Sequence, residues 1–400
     1  MGNTEKKLPS VIILVVVISL APMNVVLCAP GLPQIAEYFN ITNSQSQQLI
    51  AVFLLGYAIS QLIFGPLANT YGRRKSLFSG LCIGVIGCIL CVLSGFIHQF
   101  SLLLVGRFIT GFGTAAGLVL SFTIINDVFT GIKARQVTGL CVMSFAVVPG
   151  VANIIGGFLT QYFGWESCFY FLVVYDVVVA ILVLGLTETL ERSMKKPLQL
   201  SVIAIGYLNA LKNLTVIMSG IIYGLSVSCL YGIIALLPFI GVYTLKMSPS
   251  MFGTVFLTSY VGYLIGSIVT TATAGKLKTT TSILIGIVIS LIGGGVLALM
   301  NLFNCISVFT VFSAIFIVFA GCPFVFINSS IYGISSHNDK ANASSILNFI
   351  YVFLAFCTVY FTGKIHDKYL LTLSMGIVFL MIISLLIYFT IVMIKEKKII

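Results

Sequence analysis

Apolar residues along this chain gather into twelve runs, near residues 11–33, 47–69, 76–96, 101–126, 137–159, 168–187, 216–242, 251–274, 280–300, 306–328, 342–363 and 371–394. Each is close to the roughly 20 helical residues that cross a hydrocarbon core. None alternates with period two, and the pattern predicts membrane-spanning α-helices throughout. The polar breaks between runs are short. The tightest is Gly65 to Leu77, GPLANTYGRRKSL, which predicts a very short loop at a membrane surface. Gly65 and Gly72 allow close backbone approach there, and Pro66 is tolerated near a helix end but costly deep inside one. Other prolines mark irregular points. Pro22, Pro30 and Pro33 flank Asn24 in the first run, Pro238 interrupts the outer end of the seventh, and Pro323 is expected to break the tenth. Backbone carbonyls freed in lipid need neighbours to satisfy them.

Composition excludes a soluble domain. The 400 residues are 59% hydrophobic and 8% charged, with mean hydropathy +1.14, whereas soluble domains are about 25% charged. The net charge of +11 would suggest nucleic acid if it formed a patch on a soluble body, but 17 of the 21 Lys and Arg fall on one side of the spans. They are Lys6, Lys7, Arg73, Arg74, Lys75, Lys133, Arg135, Arg192, Lys195, Lys196, Lys212, Lys276, Lys278, Lys340, Lys395, Lys397 and Lys398. Lys246, Lys364 and Lys368 fall on the other side, and Arg107 lies in a span. Cations mark the cytoplasmic face, so both termini are expected there. No cleavable signal is expected, because the first run exceeds a signal h-region. Leu27 before Cys28 argues against lipidation. The ten cysteines lie mostly inside spans and read as small buried hydrophobes. His98, His337 with Asp339, and His366 with Asp367 sit in loops without metal-ligand spacing. No phosphate-binding loop points to ATP, and ten scattered acids offer no cluster for an enzyme acting on a lipid-linked substrate.

Two spans carry ionisable residues at depth, where such groups are rare and usually functional. Arg107 opens RFITGFGTAAG and either faces a partner or cavity, or snorkels to the headgroups. Asp176 lies near the middle of CFYFLVVYDVVVAILVLGL. It is a candidate proton carrier, or a structural acid hydrogen-bonded to a neighbour.

The 65–77 stretch resembles the cytoplasmic signature between helices two and three of the major facilitator superfamily. Gly65, Leu67, Ala68, Gly72, Arg73, Arg74 and Leu77 match it, and Asn69 replaces the usual aspartate. Arg107, Gly111, Gly113 and Ala115 resemble the second signature, whose arginine takes part in coupling or substrate binding. Asp127, in INDVF, stands where a family acid completes a charge network closing the cytoplasmic face. A solvated interfacial carboxylate is the alternative. VPGVANIIGGFL resembles the antiporter signature of helix five through Pro149, Gly156 and Gly157, with Asn153 in place of its proline. PGLPQIAEYF resembles the first-helix exit of the bicyclomycin and chloramphenicol resistance branch through Pro30, Leu32 and Pro33. Val26 replaces the aspartate usual in that branch.

The resemblance implies an all-α integral membrane protein of twelve transmembrane helices in two six-helix bundles, the major facilitator fold. Residues 1–187 and 214–400 form the bundles, and 188–213 a central cytoplasmic loop with an amphipathic segment near 198–211. Function follows as secondary transport by alternating access: proton-coupled efflux of small amphipathic compounds from a bacterial cytoplasmic membrane. The alternative is transport of a metabolite or siderophore. The expected partners are a small molecule, protons and the bilayer, with no nucleic acid, no cofactor beyond the proton gradient, and a monomeric chain. Asn24, Arg107, Asp176, Tyr223, Tyr231 and Asn328 are the candidates for cavity or coupling. Gly65, Asn69, Gly72, Arg73, Arg74 and Asp127 form the cytoplasmic gate implied by the resemblance, and Pro149, Asn153, Gly156 and Gly157 the helix-five signature.

Overall fold

The computed structural model describes residues 10–195, 197–365 and 368–397. Lys6, Lys7, Lys196 and Lys398 of the basic face, and His366 and Asp367, lie outside the described residues. Among the described residues the chain is helical, with twelve helices long and apolar enough to cross a membrane.

The first span is built in pieces, α1 (Val11–Ile18), α2 (Leu20–Val26), a 3-10 turn at Ala29–Gly31, and α3 (Leu32–Tyr38). Then come α4 (Asn43–Tyr71), α5 (Arg73–Phe96), α6 (Phe100–Val128), α7 (Gly131–Phe163) and α8 (Glu166–Leu184). A short helix, α9 (Leu200–Lys212), precedes α10 (Leu214–Phe239), α11 (Pro249–Ala272), α12 (Thr279–Leu302), α13 (Val308–Ser335), α14 (Lys340–Thr362) and α15 (Tyr369–Lys397). Their ends are marked by the chemistry helix termini demand. Thr42 and Gln45 form a reciprocal cap on α4, and Ser307 with Thr310 does the same for α13.

Two prolines, Pro66 and Pro323, act differently from the sequence expectation, and Pro238 acts in line with it. The turn between the second and third spans is one residue rather than a loop, because α4 continues through Pro66 to Tyr71. Proline removes the N–H that would bond the carbonyl four residues earlier. That carbonyl, Leu62 O, is taken instead by the Tyr207 hydroxyl of α9 at 2.8 Å. Gly72 alone makes the reversal, at φ +112°, a conformation open to residues without a Cβ. Pro323 does not break its span either, since α13 runs unbroken to Ser335. Pro238 does mark a change, a π turn over Ile240–Thr244.

The first six spans pack among themselves, as do the last six. The two sets meet chiefly through α7 against α11 and α4 against α14. Small residues permit that approach: a Cβ on Gly157 would meet the Pro249 carbonyl, and one on Gly253 the Asn153 carbonyl. Helix α9 leaves Leu200, Val202, Ile205 and Leu208 exposed while burying Ala210. That is the arrangement of a helix lying along a bilayer surface.

Candidate functional site

A cavity of about 850 Å³ lies between the two sets of spans. One face of α4 supplies Tyr57, Gln61, Gly65 and Asn69, spaced by four so that they stack along one side of the helix. The other set supplies Tyr223 and Tyr231 of α10, Tyr260 and Tyr263 of α11, and Tyr351 of α14. Tyr57, Tyr260, Tyr263 and Tyr351 are buried at the deep end. Tyr223 and Tyr351 stack with ring centroids 4.2 Å apart. Phe326 extends the stack, 5.5 Å from Tyr223 and 5.9 Å from Tyr263. At the other end the wall reaches Asn69, Asp127 and Lys340, all exposed, and there the cavity opens.

Beyond the deep end the two sets of spans are joined. Asn43 donates to the Tyr369 hydroxyl at 2.9 Å and accepts from Tyr243 at 3.3 Å, and Ser44 bonds the Gly363 carbonyl. Gln161 accepts from the backbone N–H of Ser250 at 3.1 Å. The molecule is therefore closed at this end and open at the end bearing Gly72.

At the open end, Arg73 donates to Asp127 at 3.0 Å and to Asn69 at 2.6 Å. Asn69 thus fills the usual aspartate's position as a neutral acceptor. Thr189 also donates to Asp127, at 3.2 Å. Arg74 reaches the Leu184 carbonyl. Glu188 was not among the candidates, yet its carboxylate accepts from the backbone N–H of Arg73 at 2.8 Å and of Arg74 at 3.3 Å. An acid at these orphan N–H groups caps α5 and complements its dipole. A Cβ on Gly72 would crowd that carboxylate, and the residue's φ of +112° is the stronger reason for glycine there. All the partners these bonds join belong to the first six spans or to the segment after α8. In this conformation the network stitches one half together beside the cavity mouth.

The remaining candidates divide sharply. Asn24, Arg107 and Asp176 come together, but behind the cavity wall. Turning by 100° per residue, α2 presents Ala21, Pro22, Val25 and Val26 to the cavity and Asn24 to the bundle interior. Asn24 donates its amide to Asp176 at 2.9 Å, and its backbone carbonyl accepts from Arg107 at 3.0 Å. Cys88 bridges Asn24 and Asp176, 3.4 Å from each. Arg107 is fully buried and lies 4.6 Å over the Phe53 ring, so it does not snorkel. Its Nη2 has no hydrogen-bond partner among the described residues. Helix α8, which lines none of the cavity, thus delivers its one mid-span carboxyl to the broken first helix.

Tyr223 and Tyr231 line the cavity, whereas Asn328 turns toward α11, donating to Thr270 at 3.1 Å and to the Phe324 carbonyl at 2.9 Å. In α7, Pro149 lines the cavity and Asn153 bonds its carbonyl at 3.1 Å. Gly156 abuts the Leu27 carbonyl, and Gly157 abuts Pro249. Tyr57, Gln61, Tyr260, Tyr263 and Tyr351 were missed by the sequence reading. The spacing of four from Tyr57 to Asn69 was a legible signal for the first two.

Comparison with known proteins places this geometry. An uncharacterized MFS-type transporter, YdgK, of Bacillus subtilis is 28% identical over 337 residues, covering 82% of this chain and 81% of that one. A bicyclomycin resistance protein homolog of Haemophilus influenzae is 26% identical, covering 69% of each chain. The crystal structure of a D-xylose-proton symporter superposes with TM-score 0.76 over 94% of this chain and 96% of that chain, at 14% identity, a likeness of fold. The Major Facilitator Superfamily profile matches residues 14–356, and with twelve spans in two sets around a cavity open at one end, the chain belongs to that superfamily of membrane transporters.

Proposed function

We propose that this transporter exports small amphipathic compounds from the bacterial cytoplasm in exchange for entering protons, acting as a monomer by alternating access. The observation that carries the reading is the cavity, walled by both halves, closed at one end and open at the end bearing Gly72. Arg73, Arg74 and Lys75 sit at that end, and a cluster of cations marks the cytoplasmic face. The open mouth then faces the cytoplasm, as do both termini, and the cavity receives substrate from inside. Its aromatic wall suits amphipathic molecules. The likeness to a bicyclomycin resistance protein homolog supports export of such compounds.

Coupling is assigned to Asp176. Val26 leaves the cavity wall without the carboxyl usual at that position in the resistance branch, and Asp176 lies behind the wall, bonded to Asn24 of the same helix. Proton exchange at Asp176 would be felt directly by the broken first helix, and through the Asn24 carbonyl by Arg107. The test is a substrate screen in intact cells lacking the native gene, with and without an uncoupler. Export predicts that accumulation of the labelled compound rises when the gradient collapses. A metabolite or siderophore importer predicts the reverse, and that result would replace this reading.

A further inference from the structure

We propose that α9 and the basic run before it form a docking surface for anionic phospholipid of the inner leaflet, and that docking steadies the open arrangement of α4 and α14 that α9 bridges. This goes beyond the transport reading and does not depend on what is carried.

The helix has two apolar stripes with different surroundings. At 100° per residue, Ile203, Gly206, Tyr207 and Ala210 share the face turned to the seam between the halves. Ala210 is buried in a cluster with Val216, Ala343 and Ile346, and a Cβ on Gly206 would collide with the Asn342 amide. Leu200, Ala204, Leu208 and Leu211 recur four, four and three residues apart and form a second stripe beside the first. Among the described residues nothing covers it: Leu200 is 74% exposed, Leu208 55% and Leu211 40%. With 13 residues α9 is too short to cross a bilayer. Asn213 alone separates it from the α10 span, which holds it at the membrane boundary. An uncovered apolar stripe at that level fits the zone between headgroups and acyl chains.

Charge selects the lipid. From Arg192 to Asn213 the chain has four cations and no acid. Lys195 and Lys212 are exposed on either side of the stripe. Lys212 stands about 40° around the helix from Leu208, where its stem can lie along apolar surface while its ammonium reaches a phosphate. Asp339, on the adjoining α14, is occupied as a cap, accepting from the Asn342 backbone N–H at 3.0 Å and from its side-chain amide at 2.7 Å. A stripe flanked by cations alone complements an anionic surface better than a zwitterionic one.

The link to conformation is Tyr207. Its hydroxyl donates to the Leu62 carbonyl of α4 at 2.8 Å and accepts from the Ser345 hydroxyl of α14. One side chain thus joins both halves beside the open cavity. Asn213 meanwhile ties the end of α9 to the second half, donating to the Ser336 carbonyl at 3.0 Å. Rocking the halves moves α4 relative to α14 and must break the bond to Leu62 or carry α9 away from the seam. Lipid that holds α9 in place therefore favours this arrangement over the other, which is the differential affinity a population shift requires.

The experiment uses the full-length protein in nanodiscs of phosphatidylcholine alone or with about 30% phosphatidylglycerol, at low salt. Depth is read from Leu208→Trp, whose emission above that of the buried Trp165 is quenched by lipids brominated just below the headgroup. Opening is read as the labelling rate of Thr123→Cys, a cavity position, in a Cys305→Ser background. Each cation near an anionic surface strengthens the attraction about fivefold. Quenching at Leu208→Trp should therefore rise with phosphatidylglycerol, and labelling at Thr123→Cys should speed about two- to fivefold. A Lys195→Gln, Lys212→Gln double variant should lose most of both increments. High salt screens the same attraction without altering the chain, which keeps the result decidable if the variant folds poorly. Tyr207→Phe should keep the quenching and lose the labelling increment. Emission unquenched in both lipids, as for a stripe facing water or a second copy of the chain, overturns the proposal. Equal quenching with and without phosphatidylglycerol overturns the choice of lipid, and labelling indifferent to phosphatidylglycerol overturns the link to opening. Both leaflets of each nanodisc have one composition and no gradient is present, so no outcome depends on export.

Discussion

Replacing Asp176 with asparagine removes the titratable group and little else. The amide has nearly the volume of the carboxyl and keeps an oxygen to accept from Asn24, now 2.9 Å away, so packing around Arg107 and Cys88 should persist. Asp176 is the single mid-span acid among the described residues, so the proposed exchange through it would move one proton per transport cycle. For an uncharged substrate, one pH unit then supplies about 1.4 kcal/mol, a tenfold concentration ratio. A potential of 100 mV adds about 2.3 kcal/mol for the one charge moved, and the two together sustain a ratio on the order of 500-fold. The assay uses proteoliposomes with an imposed pH step and no potential, following a labelled substrate found in the cell screen. The wild type should reach about tenfold accumulation per pH unit, while Asp176→Asn should equilibrate the substrate at a ratio near one, with its thermal unfolding in detergent little changed. A Val26→Asp, Asp176→Asn double variant, which returns a carboxyl to the first helix on its cavity face, should recover part of the gradient response. A tenfold ratio persisting in Asp176→Asn would refute the assignment, as the proton would then be carried elsewhere.

Further outcomes follow from the bonds at the two ends. Glu188→Gln should lower stability by about 1 kcal/mol, the usual scale of a lost charged cap, read as a fall in the detergent unfolding midpoint. Asn69→Asp should turn the 2.6 Å contact with Arg73 into a charge-assisted bond, roughly twice as strong, and raise that midpoint. Tyr207→Phe should orphan the Leu62 carbonyl at the Pro66 bend, costing about 1–3 kcal/mol and speeding proteolysis of the linker. Tyr369→Phe removes the acceptor for Asn43 at the closed end. A loss of about 1 kcal/mol there should shift the balance of states about fivefold toward opening on that side, read as faster labelling of a thiol introduced at Tyr57 from the outer face. An unchanged rate would show that the closed end is held by packing alone.

How far the sequence reached depended on the length scale of each signal. The twelve spans, their class and the short basic turn were legible because burial in lipid imposes runs of about 20 apolar residues and leaves no ambiguity of period. The pairing of Arg73 with Asp127 was legible through its resemblance to a family signature. Prolines were harder to read. Nothing local says that Pro66 and Pro323 sit inside continuous helices, since the partner that satisfies Leu62 O comes from Tyr207, remote in sequence. Glu188 was invisible as a cap because it lies 115 residues along the chain from the Arg73 N–H it caps.

The chain alone determined that this protein lives in a bilayer, how many times it crosses and which end of each span is basic, because those follow from one-dimensional counts of apolar and charged residues. Tertiary structure alone decided that Asn24, Cys88, Arg107 and Asp176 share one buried knot, and that six tyrosines from four helices face one cavity. A helix buried on nearly every side carries no amphipathic stripe to say which face meets water and which meets a neighbour. Only the packing of the helices against one another, within each half and between the halves, makes that choice.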